Sequence, residues 1–253
     1  MRIDVNADVG ESFGVYRLGN DAAVLKSITS ANIAAGFHGG DPTVLRETIR
    51  LAKVHGVAVG AHPSFPDLVG FGRRELNVTP QEAEDFVLYQ VAAVAGVAAA
   101  EGVKLQHVKP HGALFNMAAR NAALADAIAK AVAAFDRSLI LFGLSGSEIL
   151  SAGRAAGLRV AAEVFADRAY ERNGSLVSRS RPGSVIHDSG TVVARAVRMV
   201  RDGIVDSVDG TAVSLEADTI CVHGDTVGAE ALAAALRAGL EAAGIAVKPV
   251  GSV

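Results

Sequence analysis

The chain has a single cysteine, Cys221, and no tryptophan. One thiol cannot close an internal disulfide, which points to a reducing compartment, the cytoplasm. Three tyrosines and nine phenylalanines are too few for a base-stacking platform, and no basic tract accompanies them. The net charge of −3 is spread over mixed signs, so nucleic acid is not an expected partner. Half the residues are hydrophobic, yet no uninterrupted apolar run approaches the ~20 residues of a membrane span, so no membrane is expected either. The opening Met1-Arg2-Ile3-Asp4 lacks the apolar core of a secretion signal. A GxxxxGK[ST] loop, a strand-borne GxGxxG and an HExxH helix are also missing, which removes three common nucleotide and zinc signatures. With 253 residues and no linker or low-complexity stretch, the expectation is one α/β domain over 1–253.

What is present is a repeated junction. Lys53 to Val59, Ala100 to Leu105, Ala156 to Val160 and Ala243 to Val247 each place a glycine between a helical pattern and an apolar run, and Asp202 to Val205 is similar. Glycine there takes the left-handed position that stops a helix, and a strand follows at once. Helix starts agree: Asp41-Pro42 is a cap followed by proline, and Thr79 to Glu82 and Ser145 to Glu148 read as capping boxes. Helices are expected over 42–55, 79–101, 118–135, 145–156, 189–202 and 228–243. Strands are expected over 2–8, 29–35, 57–61, 104–109, 138–143, 159–165, 219–223 and 245–250, with a hairpin at Asp209-Gly210. About seven parallel strands suggest an irregular (β/α) barrel whose chemistry sits at the strand C-termini. A doubly wound open sheet is the alternative, because periodicity does not separate the two.

Titratable residues gather where the apolar runs stop. Asp4 to Ser12 ends β-type alternation in Asp8 and Glu11; glycines flank His38; His62 precedes Pro63; Lys109-Pro110-His111 follows an apolar run. A lysine at such a place is costly to bury unless a carboxylate or an anionic ligand meets it, so Lys109 pairs with Asp8, holds a substrate carboxylate or stabilises an oxyanion. His111 is a candidate for proton transfer. Glu163, Asp167 and Arg168 end another run, with Arg179 and Arg181 downstream suited to a carboxylate or phosphate. Cys221-Val222-His223 closes the set. His38, His62, His111 and His223 with Asp8 would suit a divalent ion, though without the tight spacing of a known zinc motif. Asp41 is read as a helix cap, His55 as a helix-end residue, His107 as packed, and Cys221 as a small buried residue. Residues 63–78 and 166–188 read as long functional loops over the rim.

These motifs resemble the LamB/YcsF family, the A subunits of bacterial 5-oxoprolinases. The resemblance is carried by Asp4 to Gly14, Asn32 to Pro42, Gly60 to Asp67, Gly70 to Arg74, Val108 to Asn116, Glu163 to Tyr170 and Cys221 to Asp225. The chain departs from the family at Ala7 and Ala35, where cysteine is frequent, so neither position supplies a thiol. The resemblance implies a barrel like that of polysaccharide deacetylases and some glycoside hydrolases. It implies hydrolysis of the lactam of 5-oxo-L-proline to L-glutamate, driven by ATP and requiring partner subunits B and C. It places Asp8, Glu11, His38, His62, Lys109, His111 and His223 in catalysis, and Asn6, Arg73, Glu163, Asp167, Arg168 and Arg181 around the substrate. Two other classes stay in view: a stand-alone metal-dependent carbohydrate deacetylase, and a non-catalytic ligand-binding subunit.

Overall fold

A computed structural model describes residues 1–222 and 228–251 of the chain. Its first strand, β1 (Arg2–Val9), explains the alternation Asp-Val-Asn-Ala-Asp. Side chains alternate across a strand, so Ile3, Val5, Ala7 and Val9 face one way while Asp4, Asn6 and Asp8 face the other. The apolar set is buried in the main hydrophobic core, and the polar set meets partners across the barrel interior. β1 pairs in parallel with β2 (Ser30–Ala34) on one side and with β9 (Thr219–Val222) on the other. Between them run β3 (Ala58–His62), β4 (Leu105–Val108), β5 (Ile140–Leu144) and β6 (Arg159–Val164), and β6 pairs with β9. Seven parallel strands thus close into a barrel, which settles the choice against an open sheet.

The expected helices form around it. α2 (Pro42–His55) is capped by Asp41, whose carboxylate accepts from the N–H groups of Thr43 and Val44 at 2.8 and 3.0 Å, and it ends at Gly56 with φ 66°. α3 (Pro80–Ala100) begins in the expected capping box of Thr79 and Glu82. By length and composition alone this 21-residue helix could cross a membrane, its most apolar 18-residue window having a mean hydropathy of 1.3. It packs against α5 (Ala122–Phe135), α2, β3 and β4. α6 (Glu148–Ala155), α7 (Ser189–Asp202) and α8 (Ala229–Ala242) complete the outer layer. The hairpin is β7 (Ile204–Asp206) with β8 (Ala212–Ser214), turning at Asp209-Gly210.

The structure departs from expectation at several points; the capping box expected at Ser145 to Glu148 does not form, since the N-cap of α6 is Ser147 and it makes no side-chain cap hydrogen bond. The helix expected at 118–135 starts later, as α5, because Asn121 accepts from the Leu124 N–H at 3.2 Å and caps it, and a separate helix, α4 (Gly112–Ala118), precedes it. The last strand is only β10 (Ala246–Val247), which extends the start of β1 and is not a stave of the barrel. A short helix, α1 (Asp21–Val24), follows β1 unannounced by any apolar periodicity.

Candidate active site

The C-terminal ends of β1, β3, β4 and β6 converge as expected. Lys109, one residue past β4, is buried, and its ammonium lies 2.9 Å from Asp8 Oδ1 and 2.9 Å from Glu163 Oε1. It also donates to Asn6 Oδ1 at 3.2 Å and approaches Cys221 Sγ at 2.9 Å. Burial opposes the charge on Lys109, but the carboxylate of Asp8, with Cys221 and Glu163 beside it, outweighs burial and lifts its pKa well above the usual lysine value. Burial pushes the Cys221 thiol well up, which makes it a poor nucleophile and agrees with its reading as a small buried residue.

Histidines occupy the other side. His62 Nε2 lies 3.3 Å from Asp8 Oδ1 and 3.0 Å from His111 Nδ1. His111 Nδ1 is 3.8 Å from Glu11 Oε1, and His38 Nε2 is 3.2 Å from the same oxygen. The rings of His38 and His111 stack at 3.8 Å between centroids. Burial, with neighbouring histidines adding to it, holds the pKa of both His38 and His111 well below the usual histidine value. One continuous set of contacts therefore runs from His38 through Glu11, His111, His62, Asp8 and Lys109 to Glu163.

The loops put these rings in place. Gly72, at φ 62°, has no room for a side chain: a Cβ there would press on Ser64, His111 and His38. Its neighbour Phe71 is the sole described non-glycine residue at positive φ, 55°, and its carbonyl accepts from His111 Nε2 at 2.9 Å. Residues 63–78 thus form the expected rim loop, anchored by Asp67, whose carboxylate pairs with Arg74 and accepts from the Gly70 N–H.

Beneath the rim lies a polar layer. Asn6 donates to Glu163 Oε1 at 2.9 Å and to Thr219 Oγ1 at 2.7 Å; Asn32 donates to Asn6 at 2.7 Å and to Asp8 at 2.9 Å. His107, stacked on Phe142 at 4.3 Å, contacts Asn32 at 2.9 Å, as a packed residue should. Burial lowers its pKa to about 3, so it is neutral and donates. Asn6 and Glu163 are fully buried in this layer, where they hold Lys109 and Asp8. Asn32 and Asp4, not singled out as candidates, belong to it too; a signal exists for Asn32, which heads the His38 motif and pairs in register with Asp8.

Above the rim opens a cavity of about 510 Å³, walled by Asp8, His62, Lys109, His111, Arg73, Arg168 and Arg179. That volume is in the ordinary range for small-molecule sites, about 300–1,000 Å³. Arg168 is buried and tied to the carbonyls of Ser184 and Val177, and burial together with Arg179 lowers its pKa to about 10. Asp167 is buried beside it. Arg181 does not line the cavity; it pairs with Glu171 at 2.8 Å on the exposed side of the loop. Arg179, which sequence alone places on the surface as readily as in a site, does line it. His223 and Asp225 lie outside the described residues.

Similarity to known proteins is extensive. A protein from Bordetella pertussis named as the A subunit of 5-oxoprolinase is 56% identical over 246 residues, covering 97% of this chain and 98% of that protein. The crystal structure of a lactam utilization protein from Thermus thermophilus is 50% identical, with a TM-score of 0.93 over 98% of this chain and 99% of that one. A family 4 carbohydrate esterase from Streptomyces lividans, at 11% identity and a TM-score of 0.51 over 99% of this chain and 93% of that one, shares the barrel fold alone. Residues 3–253 match the LamB/YcsF family model, and the chain belongs to that family.

Proposed function

We propose that this chain is the A subunit of a 5-oxoprolinase and carries the ring-opening site for 5-oxo-L-proline. The observation that most supports the reading is the Asp8–Lys109 pair, 2.9 Å apart at the floor of the cavity, in a chain more than half identical to proteins named for that activity. In this reading water adds to the ring carbonyl carbon and its proton passes to Asp8, with Glu11 as the other candidate base. The lactam C–N bond then breaks, the nitrogen takes a proton, and the products are the free amine and carboxylate of glutamate. Lys109 steadies the oxygen as it gains charge. His62 sits between Asp8 and His111, with its Nε2 3.3 Å from Asp8, and is the better placed to pass the proton on. Arg73, Arg168 and Arg179 face the substrate carboxylate or a phosphate. Asn6, Glu163 and Asp167 support this set from below, and His223 is carried as a further member from its sequence motif alone.

A five-membered lactam is a stable amide, which favours coupling to ATP. The chain has no P-loop, so we assign nucleotide binding and phosphorylation of the lactam oxygen, with release of ADP, to partner subunits B and C. The phosphate leaves as water opens the ring, with the complex in the cytoplasm and this chain contributing one domain. The test mixes the purified chain with its partners, ATP and 5-oxoproline, each omitted in turn, and follows glutamate. Glutamate in the full mixture alone is the expected result; none in any mixture defeats the proposal.

A further inference from the structure

The ring nitrogens on the histidine side can be assigned from their neighbours. A backbone carbonyl only accepts, so His62 Nδ1, 2.7 Å from the Lys109 carbonyl, carries a hydrogen, and so does His111 Nε2, 2.9 Å from the Phe71 carbonyl. With one hydrogen on each ring, that leaves His62 Nε2 and His111 Nδ1 as lone pairs facing each other at 3.0 Å. Oxygens of Asp8 and Glu11 lie 3.3 and 3.8 Å from them. Acceptors thus face acceptors, a costly arrangement in a buried site. Among the described residues, His38 Nδ1 has no hydrogen-bond partner either.

Spacing points to what completes the cluster. Glu11, His38, His62 and His111 each offer a ligand atom, and the four atoms lie within 4.8 Å of one another. A tetrahedral ion with bonds of ~2.0–2.1 Å separates its ligands by roughly 3.3–3.4 Å. The contacts of 3.0, 3.2 and 3.8 Å along this cluster bracket that value. Ligating histidines characteristically donate their other N–H to a carbonyl or carboxylate, as His62 and His111 both do. We propose that Glu11, His38, His62 and His111 form a binding site for one divalent transition-metal ion of the zinc class, bordering the substrate cavity. Three imidazoles and one carboxylate suit zinc or cobalt(II) better than magnesium or calcium. This inference differs from the grouping expected from sequence, which had Asp8 and His223 among the ligands. It touches the proposed function at two residues: with the ion bound, Glu11 and His62 Nε2 are ligands and not proton carriers, and Asp8 remains the base.

The test strips the purified full-length chain with a chelator, dialyses it against cobalt(II), and reads bound cobalt by elemental analysis and by its visible ligand-field absorption. One equivalent retained with a tetrahedral spectrum, displaced by zinc, is expected. His62→Asn and Glu11→Gln should each weaken retention at least about 10–100-fold, while His55→Gln, on an outer helix, should leave it intact. Wild-type protein that retains no cobalt beyond a metal-free reference protein overturns the inference, as does equal retention by folded His62→Asn and Glu11→Gln. Glutamate formation by the same samples after mixing with subunits B and C, ATP and 5-oxoproline separates the two claims. Cobalt uptake without turnover keeps the metal site and removes the functional reading; turnover by protein that takes up no metal does the reverse.

Discussion

On the Lys109 side of the rim one ammonium faces Asp8, Glu163 and Asn6, whereas on the His111 side two ring nitrogens and a glutamate face one another. Both sets are buried and both sit at the ends of neighbouring strands. The first carries its own cation; the second is built from imidazole rings and a carboxylate. A lysine folded in with its carboxylates makes the floor of the cavity rigid and charged at all physiological pH. On the histidine side, burial holds the pKa of His38 and His111 well below the usual histidine value.

Removing Lys109 should have the largest effect. Lys109→Met leaves two buried carboxylates without their cation, at a cost of about 3–5 kcal/mol, measurable by denaturant melts. In the reconstituted complex it should cut turnover by about 10²–10³, and undiminished turnover would erase the contrast. Next, if the two sides are independent, cobalt(II) at about 100 times its Kd should stabilise the wild-type chain by about 2.7 kcal/mol in thermal melts. Lys109→Met should keep that increment and His62→Asn should lose it. A further test concerns pH. Burial raises the Asp4 pKa from the usual 3.8 to about 6, despite hydrogen bonds from Thr219, Thr29 and Ser30. Its protonated form is favoured by folding, so its contribution is full below about pH 4 and is lost as pH rises through about 6, up to roughly 3 kcal/mol. Asp4→Asn should flatten that part of the stability curve in urea melts at pH 4 to 7. The smallest effect separates two arginines of one loop: Arg179→Ala should raise the KM for 5-oxoproline about tenfold, and Arg181→Ala should leave it unchanged.

Much of this architecture is legible without any coordinates. Gly56 and Gly203 stop helices at φ 66° and 65°, where the pattern calls for a left-handed residue, and the apolar runs that follow them are strands. His62 and Lys109 announce the rim, because a titratable group that closes an apolar run must find a partner or a ligand to be buried there. What escapes is tertiary. Nothing local tells that Asn6 meets Glu163, 157 residues away, or that Asp4 binds Thr219, 215 residues away. Those contacts arise from barrel closure. Arg179 and Arg181 share a composition and a loop, and only the path of the backbone decides which faces the cavity. The late start of α5 escapes because alanine-rich flanks mask a single asparagine cap.

The central claim is that ring opening happens where Asp8 meets Lys109. The most direct measurement is glutamate formation by the reconstituted complex carrying Asp8→Asn, with assembly checked by size-exclusion chromatography. We expect a complex that assembles normally and turns over about 10³-fold more slowly, in line with loss of a catalytic base. An assembled complex with wild-type turnover would contradict it.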